Sequence, residues 1–192
     1  GHTQSGADLT GWGNVPYWIG VRDWGAPETP RSPWALRRSL YGAPPSYCQP
    51  STYVHPSHYR WTRVIAFKDL EEKINRKFNI GKLLELRPGR RAASGNINTL
   101  FIKGSRQQVK VTSEMSIRGL LGLGSLRGTL FVFDVEYGPD LKPSSLVFHG
   151  AGWGHGVGLC QSGAMGRADA GQTYEEIIKA YFKGTELGQL KY

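Results

Sequence analysis

The sequence predicts an α+β fold, because runs with the two-residue period of strands are mixed with runs of helical period without strict alternation. The 192-residue chain is long enough for one domain with a sizeable core. Its first third differs from the rest, since eight of the eleven prolines lie before residue 61. We therefore expect a single domain over 1–192, in which a long irregular segment, 1–60, wraps around a regular α+β core, 61–192.

The segment 1–60, called the wrap below, is expected to be ordered although it is irregular. Proline fixes φ and removes a backbone donor, so regular elements here should be short. Aromatic residues are interspersed with the prolines, and disordered segments are poor in such residues. The composition therefore favours an ordered covering of the core.

Several strands and one long helix are predicted at the start of the core and along it. WTRVIAF alternates as a strand, and KDLEEKINRKF repeats its apolar residues every four positions as an amphipathic helix. Gly81 lies near the position where a helix stop is expected. Further strands are predicted at KLLELRP, GNINTLFIKG, QQVKVT, TLFVFDVEYG and SSLVFHG.

Three shorter helices are predicted from their caps and apolar faces. Ser113 can cap SEMSIRGLLGL, in which Met115 and Ile117 are among the residues expected to face inward. AMGRADA can continue a helix after the glycine-rich stretch. Thr173 and Glu176 form the T-x-x-E pattern of a capping box at the start of TYEEIIKAYF.

The chain is basic, with a formal net charge of +9. Basic proteins associate with polyanions, so a polyanion-binding module is one interpretation and a solvated basic surface is the other. No helix-turn-helix, zinc-finger or RNP pattern accompanies the charge, and a nucleic-acid partner is therefore not expected. No apolar run reaches about eighteen residues, so no transmembrane segment is expected in this chain.

The most distinctive stretch is HGAGWGHGVGLCQSGAMGRADAG, residues 149–171, with glycine at almost every second position in its first half. It does not match a phosphate-binding loop, because no lysine follows and the third glycine of the dinucleotide fingerprint is missing. A nucleophilic Cys160 with His155 as its base would lack a recognisable third partner. As a cleft floor, the glycines would let backbone approach a ligand, and His155, Trp153 and Gln161 are types that hold sugars. Trp153 could equally be a core aromatic.

The two cysteines, Cys48 and Cys160, lie far apart in the sequence and form no C-x-x-C pair. They could form a disulfide, contribute to a metal site or be buried thiols, and spacing alone leaves all three open. His155 and Cys160 are both residues that bind zinc. Residues of the wrap that could join them are His2, His55, His58 and Cys48.

The stretch GAGWGHGVGLCQSGAMGRADAGQTYEEIIKAYFKGTEL resembles the C-terminal signature of the sporulation stage II protein D family, the SpoIID/LytB amidase enhancer domain. The match is long and gapless. GHTQSGADLTGWGNVPYWIGVRD, SGNINTLFIKG and EMSIRGLLGLGSLRGTLFVFD are similar, in order, to upstream family segments, so the resemblance covers most of the chain. It implies a protein of the bacterial cell envelope, periplasmic or extracytoplasmic, that binds peptidoglycan glycan strands and requires no cofactor.

The resemblance also implies an activity for the complete protein, as a lytic transglycosylase or as a non-catalytic enhancer or scaffold of a cell-wall amidase. A lytic transglycosylase needs one general acid, which protonates the glycosidic oxygen before the muramyl C6 hydroxyl attacks C1. The family's proposed catalytic glutamate lies in an N-terminal helical segment, which we expect upstream of residue 1, in a longer protein or as a separate chain. Glu114 and Glu136 lie in ordinary helix and strand contexts and are expected to be structural.

By the resemblance, residues 149–171 line the glycan cleft. His155 and Gln161 would orient the sugar or tune the general acid, as supporting catalytic residues. Trp153 would stack on a sugar or support the loop, and the glycines would allow close approach. Ser162 lies where many family members carry an aromatic residue. The expected substrate-binding residues are Trp153, Gly154, Gly156, Gly158 and Ser162.

The resemblance implies a structural zinc site as well, because some members bind zinc near the cleft through cysteine and histidine. The expected ligands are His2, Cys48 and Cys160, with an upstream cysteine as the fourth. The alternatives are a disulfide between the two cysteines, or two free thiols.

Overall fold

The computed structural model describes residues 2–9, 11, 13–23, 32–42, 44–122 and 126–189. These residues have the expected α+β fold, with helices and two antiparallel three-stranded sheets. The helices are α1 (Pro33–Gly42), α2 (Pro56–Tyr59), α3 (Phe67–Phe78), α4 (Glu114–Leu121), α5 (Gln161–Asp169) and α6 (Tyr174–Tyr181). The strands are β1 (Arg60–Ala66), β2 (Leu83–Pro88), β3 (Leu100–Gly104), β4 (Gln108–Val111), β5 (Leu130–Tyr137) and β6 (Pro143–Ala151).

The first sheet has the strand order β1-β6-β5 and leads directly into the glycine-rich stretch. In the centre of the sheet, Gly150 is in register with Trp61 on one side and Phe131 on the other. A Cβ on Gly150 would overlap the Trp61 indole, so glycine is needed there. The Trp61 Nε1–H donates to the Gly152 carbonyl at 2.9 Å, which holds the chain where β6 ends.

The second sheet has the order β2-β3-β4, and the main core lies between the two sheets and helices α3 and α4. Burying apolar side chains from both sheets against two helices is the expected way for short amphipathic elements to cover their apolar faces. The largest fully buried side chains of this core are Phe131, Phe148, Leu70, Ile74, Ile80, Ile97, Leu100, Ile102, Ile117, Leu121 and Leu126.

The wrap is more regular than expected, because it contains the ten-residue helix α1. Proline is tolerated in the first turn of a helix, and Pro33 begins this one. The Ser32 hydroxyl accepts a hydrogen bond from the Ala35 N–H at 3.1 Å and caps the helix. The prolines therefore flank the helix instead of interrupting it.

Helix α1 packs on the outer face of the first sheet, where Leu36 and Leu40 contact Val132 and Ala151. The Arg60 guanidinium donates to the Leu40 carbonyl at 3.0 Å and to the Ser39 carbonyl at 3.3 Å. These bonds satisfy acceptors at the end of α1 and hold part of the wrap onto β1.

Most elements lie where the sequence places them, with local differences that have physical causes. Helix α3 ends at Phe78, as predicted, and its C-cap Asn79 has φ 47°. Gly81 follows with φ 75°, and the Asn75 side chain bonds its N–H and carbonyl. Met115 is 77% exposed, so its predicted inward position is wrong, whereas Ile117 is fully buried. The capping box of Thr173 and Glu176 on α6 is confirmed.

The strand predicted over GNINTLFIKG begins only at Leu100. Before it, residues 91–98 form a loop in which Asn96 donates to the Thr129 hydroxyl at 3.2 Å and Ile97 N–H donates to the Thr129 carbonyl at 2.9 Å. This loop lies against the chain that leads into β5. Among the described residues, no helix has the length and apolar character needed to span a bilayer.

Candidate functional site

A cleft of about 570 Å³ lies between the wrap and the glycine-rich stretch. One wall is formed by residues of the wrap and the other by 151–162, with Ser94, Asn96 and Gly128 between them. Gly158 is not among the lining residues, and a Cβ placed on it would contact the Phe182 ring. His55, which the sequence also offered as a metal ligand, is not a lining residue. Of the residues proposed from the sequence, those that line the cleft are His2, Cys48, His58, Trp153, Gly154, His155, Gly156, Cys160, Gln161 and Ser162.

The backbone of the glycine-rich stretch has a repeating geometry that other residues rarely adopt. Alternate glycines from Gly152 to Gly158 all have positive φ, between 74° and 108°. Side chains are strained in this region, so glycine is required for the path of the chain. Gln4 holds the stretch from the wrap side, where its N–H donates to the Gly156 carbonyl at 2.7 Å and its Nε2 to the His155 carbonyl at 2.6 Å.

The His155 imidazole is oriented by its own loop. Its Nδ1 accepts a hydrogen bond from the Val157 N–H at 3.1 Å. Because a backbone N–H can only donate, Nδ1 must be unprotonated, and the neutral ring then carries its proton on Nε2. His155 can therefore act as a hydrogen-bond donor from Nε2 at the cleft wall.

Trp153 is 60% exposed, so it is not a core aromatic. The guanidinium carbon of Arg127 lies 4.5 Å from its ring centroid, and the His58 ring lies 4.7 Å away at 80°. Such cation–π and edge contacts hold an exposed indole in one orientation. The ring is a rigid surface at the rim of the cleft.

Cys48 and Cys160 come together although 111 positions separate them in the sequence. Both are free thiols, and their sulfurs and a carboxylate oxygen of Asp23 all lie within 4.8 Å of one another. The Cys160 thiol donates a hydrogen bond to the Cys48 sulfur, which lowers the pKa of Cys48 and, together with burial, raises the pKa of Cys160. The pair therefore tends to share one proton.

Cys160 has a second structural role as the N-cap of α5. Its Sγ accepts a hydrogen bond from the Gly163 N–H at 3.3 Å. Serine is a strong N-cap residue, so a serine at this position would preserve the cap.

The cluster that the structure forms differs in one member from the expected set of His2, Cys48 and Cys160, because Asp23 takes the third place. His2 lines the same cleft and forms an antiparallel β-bridge with Arg22, the neighbour of Asp23.

Asp23 is fully buried and belongs to an ion pair that sequence reasoning missed. Arg167 on α5 donates to Asp23 Oδ1 through Nε at 3.1 Å and Nη2 at 2.9 Å. The Tyr181 hydroxyl on α6 donates to the same carboxylate at 3.1 Å. Burial, and then the Asp23 charge, raises the pKa of Tyr181, so the phenol remains a donor.

Two glycines of α5 allow close packing, one of them against this ion pair and the other against the wrap. A Cβ on Gly163 would overlap the Tyr181 hydroxyl and the Asp23 carboxylate, and one on Gly166 would overlap the Tyr47 carbonyl oxygen. Glycine is unfavourable inside helices, so its presence there indicates a need for close packing. Gly163, Gly166 and Arg167 lie on one face of α5, and this pattern was the sequence signal for a close contact. The second half of the glycine-rich stretch therefore supports the cleft, whereas the first half lines it.

None of the described residues that line the cleft is an aspartate or a glutamate. Glu114 is paired with Arg118 at 2.8 Å, and Glu136 accepts a hydrogen bond from Ser145 at 3.1 Å. Both glutamates therefore have the structural surroundings expected from the sequence.

Comparisons with known proteins agree with the resemblance seen in the sequence. The chain is 28% identical to the stage II sporulation protein D of Bacillus subtilis (strain 168) over 135 residues, 68% of this chain and 34% of that protein. It is 31% identical to the amidase enhancer of the same strain over 107 residues, 52% of this chain and 14% of that protein. A stage II sporulation protein D of Bacillus amyloliquefaciens is 26% identical over 135 residues, 68% of this chain and 34% of that protein.

The chain thus spans about a third of the sporulation proteins it matches and a smaller part of the amidase enhancer. The model of a domain of unknown function, DUF8618, matches residues 49–158, more than half of the chain. This match begins at Gln49, directly after Cys48, and includes the first sheet and the first half of the glycine-rich stretch. The chain therefore belongs to the DUF8618 family and is a SpoIID/LytB-like protein.

Proposed function

We propose that this chain binds peptidoglycan glycan strands in the cleft and that the complete protein cleaves them as a lytic transglycosylase in the bacterial cell envelope. The observation that carries the proposal is the cleft wall itself, in which exposed backbone, an exposed indole and an oriented imidazole converge. Sugars present flat apolar faces and many hydroxyls, and such a wall complements both. The names of the relatives support a role connected with the cell wall and an extracytoplasmic location.

In this proposal His155 and Gln161 act on the substrate without being the general acid. The Nε2–H of His155 would donate to a sugar oxygen or to the acid, and the Gln161 amide would bond a hydroxyl. The general acid would be a glutamate outside the described residues. Its proton would go to the glycosidic oxygen as the bond from that oxygen to C1 breaks. The resulting carboxylate would take the proton of the muramyl C6 hydroxyl as the C6 oxygen bonds to C1, so that no water is consumed.

The first prediction concerns His155. We expect His155→Ala to weaken binding of purified peptidoglycan glycan strands about 3- to 10-fold, the usual range for losing one hydrogen bond to a ligand. His149→Ala is the matched control, because His149 contacts Thr62 and Tyr41 and is not a lining residue of the cleft. Titration followed by tryptophan fluorescence measures both, and equal losses in the two variants would contradict the role of His155.

A second candidate function is enhancement of a cell-wall amidase, and the amidase enhancer among the relatives favours it. An enhancer that works only through a partner would need no glycan affinity of its own. The same titration separates the two functions, because in that case neither wild type nor the His155 variant would bind glycan strands.

We also propose that the cysteine pair holds a structural zinc ion together with His2. The donor set fits, since two sulfurs already lie within 4.8 Å of each other and one tends to be a thiolate. Ligands of one tetrahedral zinc are about 3.8 Å apart, a separation that falls within this 4.8 Å limit. Asp23 is the less suitable third ligand because Arg167 and Tyr181 bond its carboxylate. A bound zinc would tie the wrap to the start of α5.

The second prediction tests this site. The chain purified with zinc should contain about one zinc ion, and EDTA should lower its melting temperature, because metal binding to the native state adds to stability. Cys48→Ser and Cys160→Ser should both lose the metal, and Cys160→Ser keeps a side chain that can cap α5. Absence of metal together with unchanged melting in EDTA would leave two free thiols or a disulfide as the correct interpretation.

A further inference from the structure

The net positive charge of the chain comes from one segment, which contains the second sheet. Between Glu72 and Glu114, residues 73–113 include ten of the 24 lysine and arginine residues but only one acidic residue, Glu85. The rest of the chain has fourteen basic and fourteen acidic residues. Strands β2, β3 and β4 all belong to this segment, so the excess charge of +9 lies in and around their sheet.

Three of these cations lie on the same face of the second sheet. Side chains alternate between the two faces of a strand, and Leu100 and Ile102 of β3 belong to the buried core. Phe101 and Lys103 therefore lie on the opposite face, together with the residues in register with them on β2 and β4. This face, called the basic face below, consists of Glu85, Arg87, Phe101, Lys103, Gln108 and Lys110.

The charged side chains of the basic face are accessible and almost uncompensated. Arg87 Nε lies 3.9 Å from a carboxylate oxygen of Glu85, and the two side chains are 56% and 53% exposed, so this pair is weak. Lys103 and Lys110 form no ion pair with any described residue. The guanidinium carbon of Arg87 lies 4.4 Å from the centroid of the Phe101 ring, a cation–π contact that holds the charge over the sheet.

Further cations lie at the end of the sheet where β2 begins and β3 turns into β4. Lys82 and Arg106 are both exposed there. The Lys82 carbonyl accepts a hydrogen bond from the Ser105 N–H at 2.9 Å, and Arg106 donates to the Asn79 side chain at 2.6 Å, so the turn is fixed beside the start of β2. These two cations extend the positive surface beyond the basic face.

The spacing of these cations matches a long anion better than a small one. Neighbouring strands are about 4.8 Å apart and alternate residues on a strand about 7 Å apart, so the charges recur across an open surface without enclosing a single ion. Exposed cations aligned in this way attract a polyanion, because its bound counterions are released when the protein replaces them.

We propose that the basic face binds a linear polymer of phosphodiesters, the chemistry of the polyol-phosphate polymers of bacterial cell walls. Each phosphate is an anion that accepts hydrogen bonds from the planar fork of Arg87 and from the ammonium groups of Lys103 and Lys110. The envelope location proposed above favours a wall polymer over nucleic acid as the partner. No residue of the basic face lines the cleft, so polymer binding would hold the protein at the wall independently of glycan binding.

The test is titration of the chain with soluble poly(glycerol phosphate) at several salt concentrations, measured by calorimetry. Wild type should bind, with an affinity that falls steeply as salt is added. The triple variant Arg87→Gln, Lys103→Gln and Lys110→Gln should lose about 10-fold or more in affinity at about 50 mM salt. The slope of log affinity against log salt should decrease by about 2, roughly 0.7 for each lost phosphate contact. The three side chains are exposed, so the melting temperature should change little.

A matched triple variant removes the same charge from exposed positions outside the basic face. It combines Arg38→Gln, Lys68→Gln and Lys142→Gln, and should keep the wild-type salt slope and most of the affinity. Glu85→Gln tests the face in the opposite direction. It removes the acidic neighbour of Arg87 and should tighten polymer binding a few-fold.

Equal losses in the two triple variants would mean that net charge alone attracts the polymer, and the basic face would then be no binding surface. Absence of binding by wild type would also overturn the proposal, whereas glycan binding in the cleft is measured separately and would stand. Single-stranded DNA with the same number of phosphates and vesicles of phosphatidylglycerol are the comparison probes. If either of them depends on the basic face while poly(glycerol phosphate) does not, the partner is a nucleic acid or a lipid surface and the wall-polymer proposal fails.

Discussion

Asp23→Asn is expected to lower the free energy of unfolding by about 3–5 kcal/mol, because breaking a buried ion pair leaves one charge uncompensated. The Asp23 side chain is fully buried, and the side chain of its partner Arg167 is 10% exposed. Asparagine preserves the volume and can still accept a hydrogen bond from Tyr181, so the change isolates the charge. Urea unfolding followed by tryptophan fluorescence measures the difference.

The matched control for Asp23 is Asp140→Asn, which removes a carboxylate paired with Lys142 on the surface. Both side chains of that pair are more than half exposed, and the expected change is below about 1 kcal/mol. Adding Arg167→Gln to Asp23→Asn should recover part of the loss, since both charges are then absent. If Asp23→Asn costs no more than the surface control, the ion pair does not hold the wrap to α5.

Gly166→Ala is expected to destabilise the protein by about 3 kcal/mol or more, because the added methyl meets backbone and the cost of overpacking reaches this range. The atom it would overlap is the carbonyl oxygen of Tyr47, which cannot rotate away as the end of a side chain can. The wrap would have to move off α5, next to Cys48. The glycan binding that we propose should therefore be lost together with stability.

The control for Gly166 is the same substitution in another helix. Gly119 lies within α4, and a Cβ placed there would meet no atom within 4 Å. Gly119→Ala should stabilise the protein by up to about 1 kcal/mol, because alanine is the better helix former. Thermal or urea unfolding should show changes of opposite sign for the two variants. Stabilisation by Gly166→Ala would mean that Tyr47 is not packed against α5.

Helices and strands could be predicted where a residue's position in a repeat determines its burial. The apolar repeat of α3 and the alternation of β1 are local patterns, and so is the capping box on α6. The prediction was wrong for Met115, because a helix boundary residue can satisfy the apolar pattern and still project into solvent. Helix α1 was missed because proline counts marked the whole wrap as irregular, whereas Pro33 starts a helix.

The candidate site likewise has some features that local sequence patterns predict and others that depend on distant contacts. The requirement for glycine between 152 and 158 follows from local backbone geometry, and the sequence displays it directly as an alternating pattern. The partners of Asp23 and of Cys48 lie more than a hundred residues away, and no local pattern encodes such contacts. Arg127 was not selected from the sequence, because its contact with the Trp153 ring is recognised only when its surroundings are known.

By itself the sequence determined the fold class, most of the elements, the family and the stretch that lines the cleft, because each depends on residue types at short spacing. Only the tertiary structure decided which residues face one another across that cleft. It exposed Trp153, placed Arg127 over its ring and buried Asp23 against Arg167. The physical reason is that burial and charge compensation are properties of the assembled chain, and distant segments supply them to one another.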